Sequence, residues 1–101
     1  MKLNLVSQNT TLSADNKVAF TKAVKSRLKS YADNIRKVNV RLDELSSKSG
    51  NMTLCKVEVL LPGLPTLIVK AKGKTVLQAL SRALKNSQQI LAQSYFKLNG
   101  S

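Results

Sequence analysis

The apolar positions of this chain switch between two periods, and the switches mark out its elements. From Lys2 to Gln8, Leu3 and Leu5 alternate with Lys2 and Asn4, the two-residue rhythm of a strand with one buried face. The polar stretch Asn9-Thr10-Thr11 then leads to Ser13, whose hydroxyl suits a helix N-cap. From Ala14 to about Ala32 the spacing becomes helical. Phe20, Val24, Leu28 and Tyr31 recur at four, four and three residues and form one stripe. Arg36 to Leu45 alternates again, with Val38, Val40 and Leu42 inward and Lys37, Asn39, Arg41 and Asp43 outward.

Ser46 to Asn51 is polar, carries Gly50, and reads as a flexible connection. The next alternation sets Cys55, Val57, Val59 and Leu61 against Lys56 and Glu58, and Pro62-Gly63-Leu64-Pro65 breaks it. Leu67, Val69 and Ala71 then face inward, with Thr66, Ile68, Lys70 and Lys72 outward, as far as Gly73. Thr75 and Gln78 fit the Thr-x-x-Gln capping box of a second helix. Its apolar face holds Val76, Leu80, Ala83, Leu84, Ser87 and Leu91, its polar face Arg82, Lys85 and Gln89, and it is expected to fray past Ala92.

The order is β-α-β-β-β-α. A helix between the first two strands requires them to be parallel with a right-handed crossover, while the remaining strands form antiparallel hairpins. All inward parities agree, so the expected fold class is α+β: a four-stranded mixed sheet with two helices packed on one face. With 101 residues and no internal repeat or linker, the expected organisation is one domain over 1–96 and a loose tail over 97–101.

Composition narrows the function. Apolar residues make up 43% of the chain, which suits a folded globule rather than a basic tail. Seventeen Lys or Arg stand against five Asp or Glu, a formal net charge of +12. Such an excess repels itself in the compact state and points to a polyanionic partner, nucleic acid before membrane. There is no His, and Cys55 is the only cysteine. An internal disulfide, a histidine general base and a Cys/His zinc site are therefore excluded. No apolar run approaches the ~18 residues of a membrane span, and the N-terminus is too polar for a signal peptide. The expectation is a soluble cytoplasmic protein with no catalytic activity, cofactor, metal, membrane or small-molecule substrate.

Lys22, Lys25 and Lys29 sit about 140° from the apolar stripe of the first helix at ~100° per residue. With Arg82 and Lys85 they form one basic field on the helices. The opposite sheet face carries Lys2, Lys37, Arg41, Lys56, Lys70 and Lys72 against Asp43 and Glu58. Lysines on flexible stems suit scattered phosphates better than base edges. The outward strand positions lack the aromatic residues of an RRM stacking platform, so recognition by shape and backbone, as for folded double-stranded RNA, is expected.

Three motifs point to chemistry and each has a plainer reading. Cys55 has inward parity and reads as a small buried hydrophobe. Asp43 and Glu44 are adjacent in a strand and face opposite ways, so they make no carboxylate pair. Lys70-Ala-Lys72-Gly73-Lys74-Thr75 lacks the spacing of a nucleotide-binding loop and reads as a strand-to-helix turn, with its lysines available to RNA.

The residues also resemble a known family. Met1-Lys2-Leu3-Asn4-Leu5, the passage from Tyr31 through Asp33, Ile35, Val38 and Val40 to Leu42, Lys56-Val57-Glu58-Val59, Leu67 to Gly73, and Val76 to Arg82 are together similar to the ribosome hibernation-promoting factors, the group that includes the ribosome-associated inhibitor. The resemblance runs from about Lys2 to Leu91 and implies the same β-α-β-β-β-α fold. It further implies a short-form protein, without the C-terminal dimerisation domain of longer members. Such a protein binds the small ribosomal subunit in the channel used by mRNA and tRNA and silences idle ribosomes. The departures lie in the second helix. Where the family has an acidic cap, an aromatic and repeated Arg and Lys, this chain has Thr75, Leu77 and the uncharged stretch Asn86 to Gln93. The expected RNA contacts are therefore Lys22, Lys25 and Lys29, helped by Lys70, Lys72 and Lys74, with Arg82 and Lys85 remaining on the second helix. The partner would be the small subunit and its rRNA, met by a protein that is monomeric off the ribosome. A general double-stranded RNA-binding module and a regulator that binds an acidic protein are the alternatives.

Overall fold

A computed structural model describes residues 1–8, 12–47 and 50–95. Its elements run β1 (Lys2–Gln8), α1 (Ala14–Arg27), β2 (Lys37–Ser47), β3 (Gly50–Leu60), β4 (Leu67–Gly73) and α2 (Val76–Ile90). The sheet order is β1-β2-β3-β4. β1 pairs parallel to β2, with Leu3 opposite Val38 and Leu5 opposite Val40. The two later pairings are antiparallel. The fold is the one expected from the periodicity.

The core is a single layer between sheet and helices. Phe20 and Val24 of α1 join Leu80, Ala83 and Leu84 of α2 over Val38, Val40, Leu42, Val57, Val59 and Val69, all buried. Both helices thus cover one face, and the other face of the sheet is open. α2 lies over β3 and β4 and touches α1 along its side.

Three boundaries differ from the sequence reading. β2 and β3 run through most of Ser46 to Asn51, because an 11-residue ladder pairs Leu45 with Met52, Ser46 with Asn51 and Ser47 with Gly50. Cooperative pairing outweighs the poor strand preference of these polar residues. Gly50 has φ +121°, which a side chain would strain. The first helix ends at Arg27, and Leu28 (φ −103°, ψ 10°) leads into a 3-10 segment, Lys29–Asn34, before β2. Beyond α2 the chain adds a π-helical turn, Leu91–Tyr95, in which Leu91 is fully buried. The tail expected to be loose lies outside the described residues.

The breaker is a tight turn. Pro62 fixes φ, Gly63 takes φ +74°, and Leu64 N–H donates to the Leu61 carbonyl at 3.2 Å. That reversal brings β4 back beside β3 and leaves Lys74 and Thr75 at the start of α2.

Candidate nucleic-acid interface

The basic side chains of α1 are placed by its cap and its stripe. Ser13 Oγ accepts from Asn16 N–H at 3.1 Å, satisfying a free donor of the first turn. Burial of Phe20 and Val24 then fixes the rotation of the helix, and Lys17, Lys22 and Lys25 are exposed. Lys25 and Arg27 lie in the last turn, where the carbonyl end of the helix dipole favours cations. Lys29 opens the 3-10 segment and is also exposed.

α2 is seated more tightly. Thr75 Oγ1 accepts from Gln78 N–H at 3.1 Å. Gln78 Oε1 in turn accepts from Lys74 N–H at 2.7 Å, one residue earlier than a capping box requires. A Cβ on Gly73 would fall 2.6 Å from Ala79 N, so the end of β4 and the first turn of α2 are in backbone contact. Arg82 Nη1 donates to the Lys72 carbonyl at 2.9 Å. That bond ties Arg82 to the outer edge of β4.

The eight expected contact residues are all exposed, but they lie on two faces. Lys22, Lys25 and Lys29 belong to the helix layer together with Arg82 and Lys85. Lys70 and Lys72 point from β4 to the open sheet face, and Lys74 sits at the turn between the two. Two further cations complete the helix layer. Lys17 shares a groove beside β1 with Thr21 and Lys25, and their four-residue spacing is visible in the sequence. Arg27 was hidden, because it follows Phe20 by seven residues and falls about 20° from it on a wheel at ~100° per residue. Its stem instead runs along the groove between the helices, beside Ala23, Leu77 and Leu84, and its head reaches water.

The two faces differ in how their charge is held. On the open face Arg41, Lys56 and Lys70 stand abreast across β2, β3 and β4. Like charges directly opposite are unfavourable, and carboxylates relieve two of the three. Arg41 Nε lies 3.6 Å from Asp43 Oδ2, and Lys56 Nζ lies 3.3 Å from Glu58 Oε1. Exposed pairs of this kind are worth about 0–1 kcal/mol each. Among the described residues, the helix layer carries two carboxylates, Asp15 in the first turn of α1 and Asp33 in the 3-10 segment. Among the described residues, none of Lys22, Lys25, Lys29 and Lys85 makes an ion pair. The helix layer therefore presents lysines without ion pairs, and the sheet face presents partly neutralised cations.

Cys55 is fully buried, and burial pushes its thiol up to about 12, so it stays protonated. Among the described residues, no group of three or more His, Cys, Asp or Glu could hold a metal ion. Among the described residues, no helix is long and apolar enough to cross a membrane.

No protein-family model matches the chain, and no curated protein matches it in sequence. Solved structures do match it. A ribosomal subunit interface protein from Coxiella burnetii superposes with a TM-score of 0.78 at 15% identity, over 91% of this chain and 94% of that one. The N-terminal domain of protein Y from Thermus thermophilus superposes with a TM-score of 0.70 at 20% identity, over 88% of this chain and 93% of that one. The chain has the fold of these two proteins. The ribosomal subunit interface protein and the protein Y domain are each matched over nearly their full length.

Proposed function

We propose that this protein is a ribosome-binding translation inhibitor, a short-form relative of the hibernation-promoting factors. In this reading the helix layer lies on small-subunit rRNA and grips its phosphates, and the domain occupies the channel used by mRNA and tRNA. The observation that carries the reading is the helix layer itself: Lys17, Lys22, Lys25, Arg27, Lys29 and Lys85 on a fold shared with a protein described as ribosomal subunit interface. Binding is by charge and shape, without catalysis or cofactor. One domain over 1–96 acts as a monomer in the cytoplasm, and Lys70, Lys72, Lys74 and Arg82 contribute where rRNA wraps past the β4 edge.

Sedimentation with purified small subunits tests this. The protein should travel with them, and it should stop a reconstituted translation reaction. About six phosphate contacts would make affinity fall by roughly 10³ or more between 50 and 200 mM salt. An equal affinity for a random hairpin RNA would instead make it a general double-stranded RNA binder. A flat salt response would overturn RNA binding altogether.

A further inference from the structure

The sheet has two edges, and the protein treats them differently. At β4, Arg82 reaches from α2 and occupies the Lys72 carbonyl at 2.9 Å. At β1, Lys2 N–H donates across to the Arg36 carbonyl at 3.2 Å, which sets the direction of the whole strand. Successive residues of a strand send their N–H and C=O groups to opposite sides. Leu3, Leu5 and Ser7 therefore turn theirs outward, away from β2. Among the described residues these groups have no partner. An edge left in this state is a template for another strand.

Beside this edge lies an open groove of about 520 Å³ between β1 and α1. Leu3 and Leu5 form its floor, each only half-buried. Lys17, Thr21 and Lys25 form its wall and Lys2 its rim, and no carboxylate lines it. An apolar floor, cationic walls and a free backbone ladder are the three requirements of strand addition with charge selection.

We propose that the β1 edge docks an extended acidic peptide from a partner protein, added to the sheet as a fifth strand. Alternate apolar side chains of the peptide would cover Leu3 and Leu5, and its carboxylates would meet Lys2, Lys17 and Lys25. RNA supplies the negative charge but has no N–H and C=O ladder to pair with the strand. A second copy of this chain supplies the ladder but sets Lys17 and Lys25 against a surface of the same sign. This site shares Lys17 and Lys25 with the proposed rRNA surface but does not use Lys22, Lys29 or Lys85. It is read with a peptide in the absence of ribosomes, so it can fail while ribosome binding stands, or stand while ribosome binding fails.

The probe is a fluorescent, end-blocked octapeptide of alternating valine and glutamate, titrated into the full chain. Anisotropy should report binding, and amide NMR should show shifts and slowed exchange at Leu3, Leu5 and Ser7. Methylating alternate peptide nitrogens keeps every charge and should weaken binding about tenfold or more. Lys17→Glu with Lys25→Glu should weaken it by a similar factor, both residues being exposed. Equal binding of the methylated peptide would overturn the proposal, leaving only charge attraction. So would protection of the same amides by a hairpin RNA, or by self-association of the free protein.

Discussion

Lys22→Glu combined with Lys25→Glu tests the helix layer quantitatively. Both side chains are exposed on α1, away from Phe20 and Val24, and neither makes an ion pair among the described residues. Folding should therefore change by no more than about 0.5 kcal/mol, as for ordinary surface substitutions. Binding should change much more. A lysine on a phosphate releases ~0.9 counterion, which at ~0.15 M salt is worth about 1 kcal/mol. Reversing the charge removes that gain and adds a repulsion of similar size, about 2 kcal/mol per site. The double variant should then bind small subunits roughly 10³-fold more weakly. Lys22→Gln with Lys25→Gln, which only neutralises, should lose about 30-fold, and its plot of log affinity against log salt should be shallower by ~1.8. Filter binding or gradient sedimentation across a salt series measures both. Arg41→Glu with Lys56→Glu on the open sheet face is the matched control. An unchanged affinity and slope for the α1 variants, with the loss appearing in the sheet variants, would refute the reasoning and move the interface to the open face.

Three further outcomes follow from the packing. Gly73→Ala should destabilise the fold by about 1–3 kcal/mol, because its Cβ would lie 2.6 Å from Ala79 N and only backbone can yield. Thermal denaturation should show a loss of at least about 4 °C, and an unchanged midpoint would contradict the close seating of α2. Thr75→Ala should cost about 1 kcal/mol in denaturant titration through loss of the Gln78 N–H cap, and Thr75→Ser should restore most of it. Cys55 is held up to about 12 from an ordinary 9.0. The unfolded thiol ionises first, so stability contributed by this group is full below about pH 9 and falls as pH rises from there towards 12. Cys55→Ala should show a correspondingly flatter decline in unfolding free energy over that range, and the native thiol should resist alkylation at pH 8 until the protein unfolds.

The fold was legible because each element carries an unambiguous period. Val38, Val40 and Leu42 alternate, Phe20 and Val24 recur at helical spacing, and both patterns survive into the structure as buried faces. What escaped the sequence depends on neighbours that are distant in the chain. Ser46 to Asn51 looks like a loop until the β2–β3 ladder recruits it. Tyr31 fits the helical stripe, yet the turn at Leu28 tightens the chain before reaching it. For the interface, the excess of cations was plain from composition, but their division between two faces was set by the strand parities of Lys70 and Lys72 against the helix rotations of Lys22 and Lys25. Arg27 was missed for a different reason. Its wheel position is apolar, and only the groove beside α2 gives its stem somewhere to lie. The partner itself was suggested by resemblance to a family, since lysines on a surface name a charge and not a molecule.

The most direct test of the central claim asks which face meets rRNA. Cys55→Ala removes the native thiol, and a single new cysteine at Lys22 or at Arg41, in the middle of the open sheet face, carries a tethered iron chelate that cuts nearby RNA when bound to small subunits. Cleavage from position 22, confined to a few neighbouring rRNA segments and absent from position 41, is the predicted result. Strong cleavage from position 41 with silence from position 22 would contradict it.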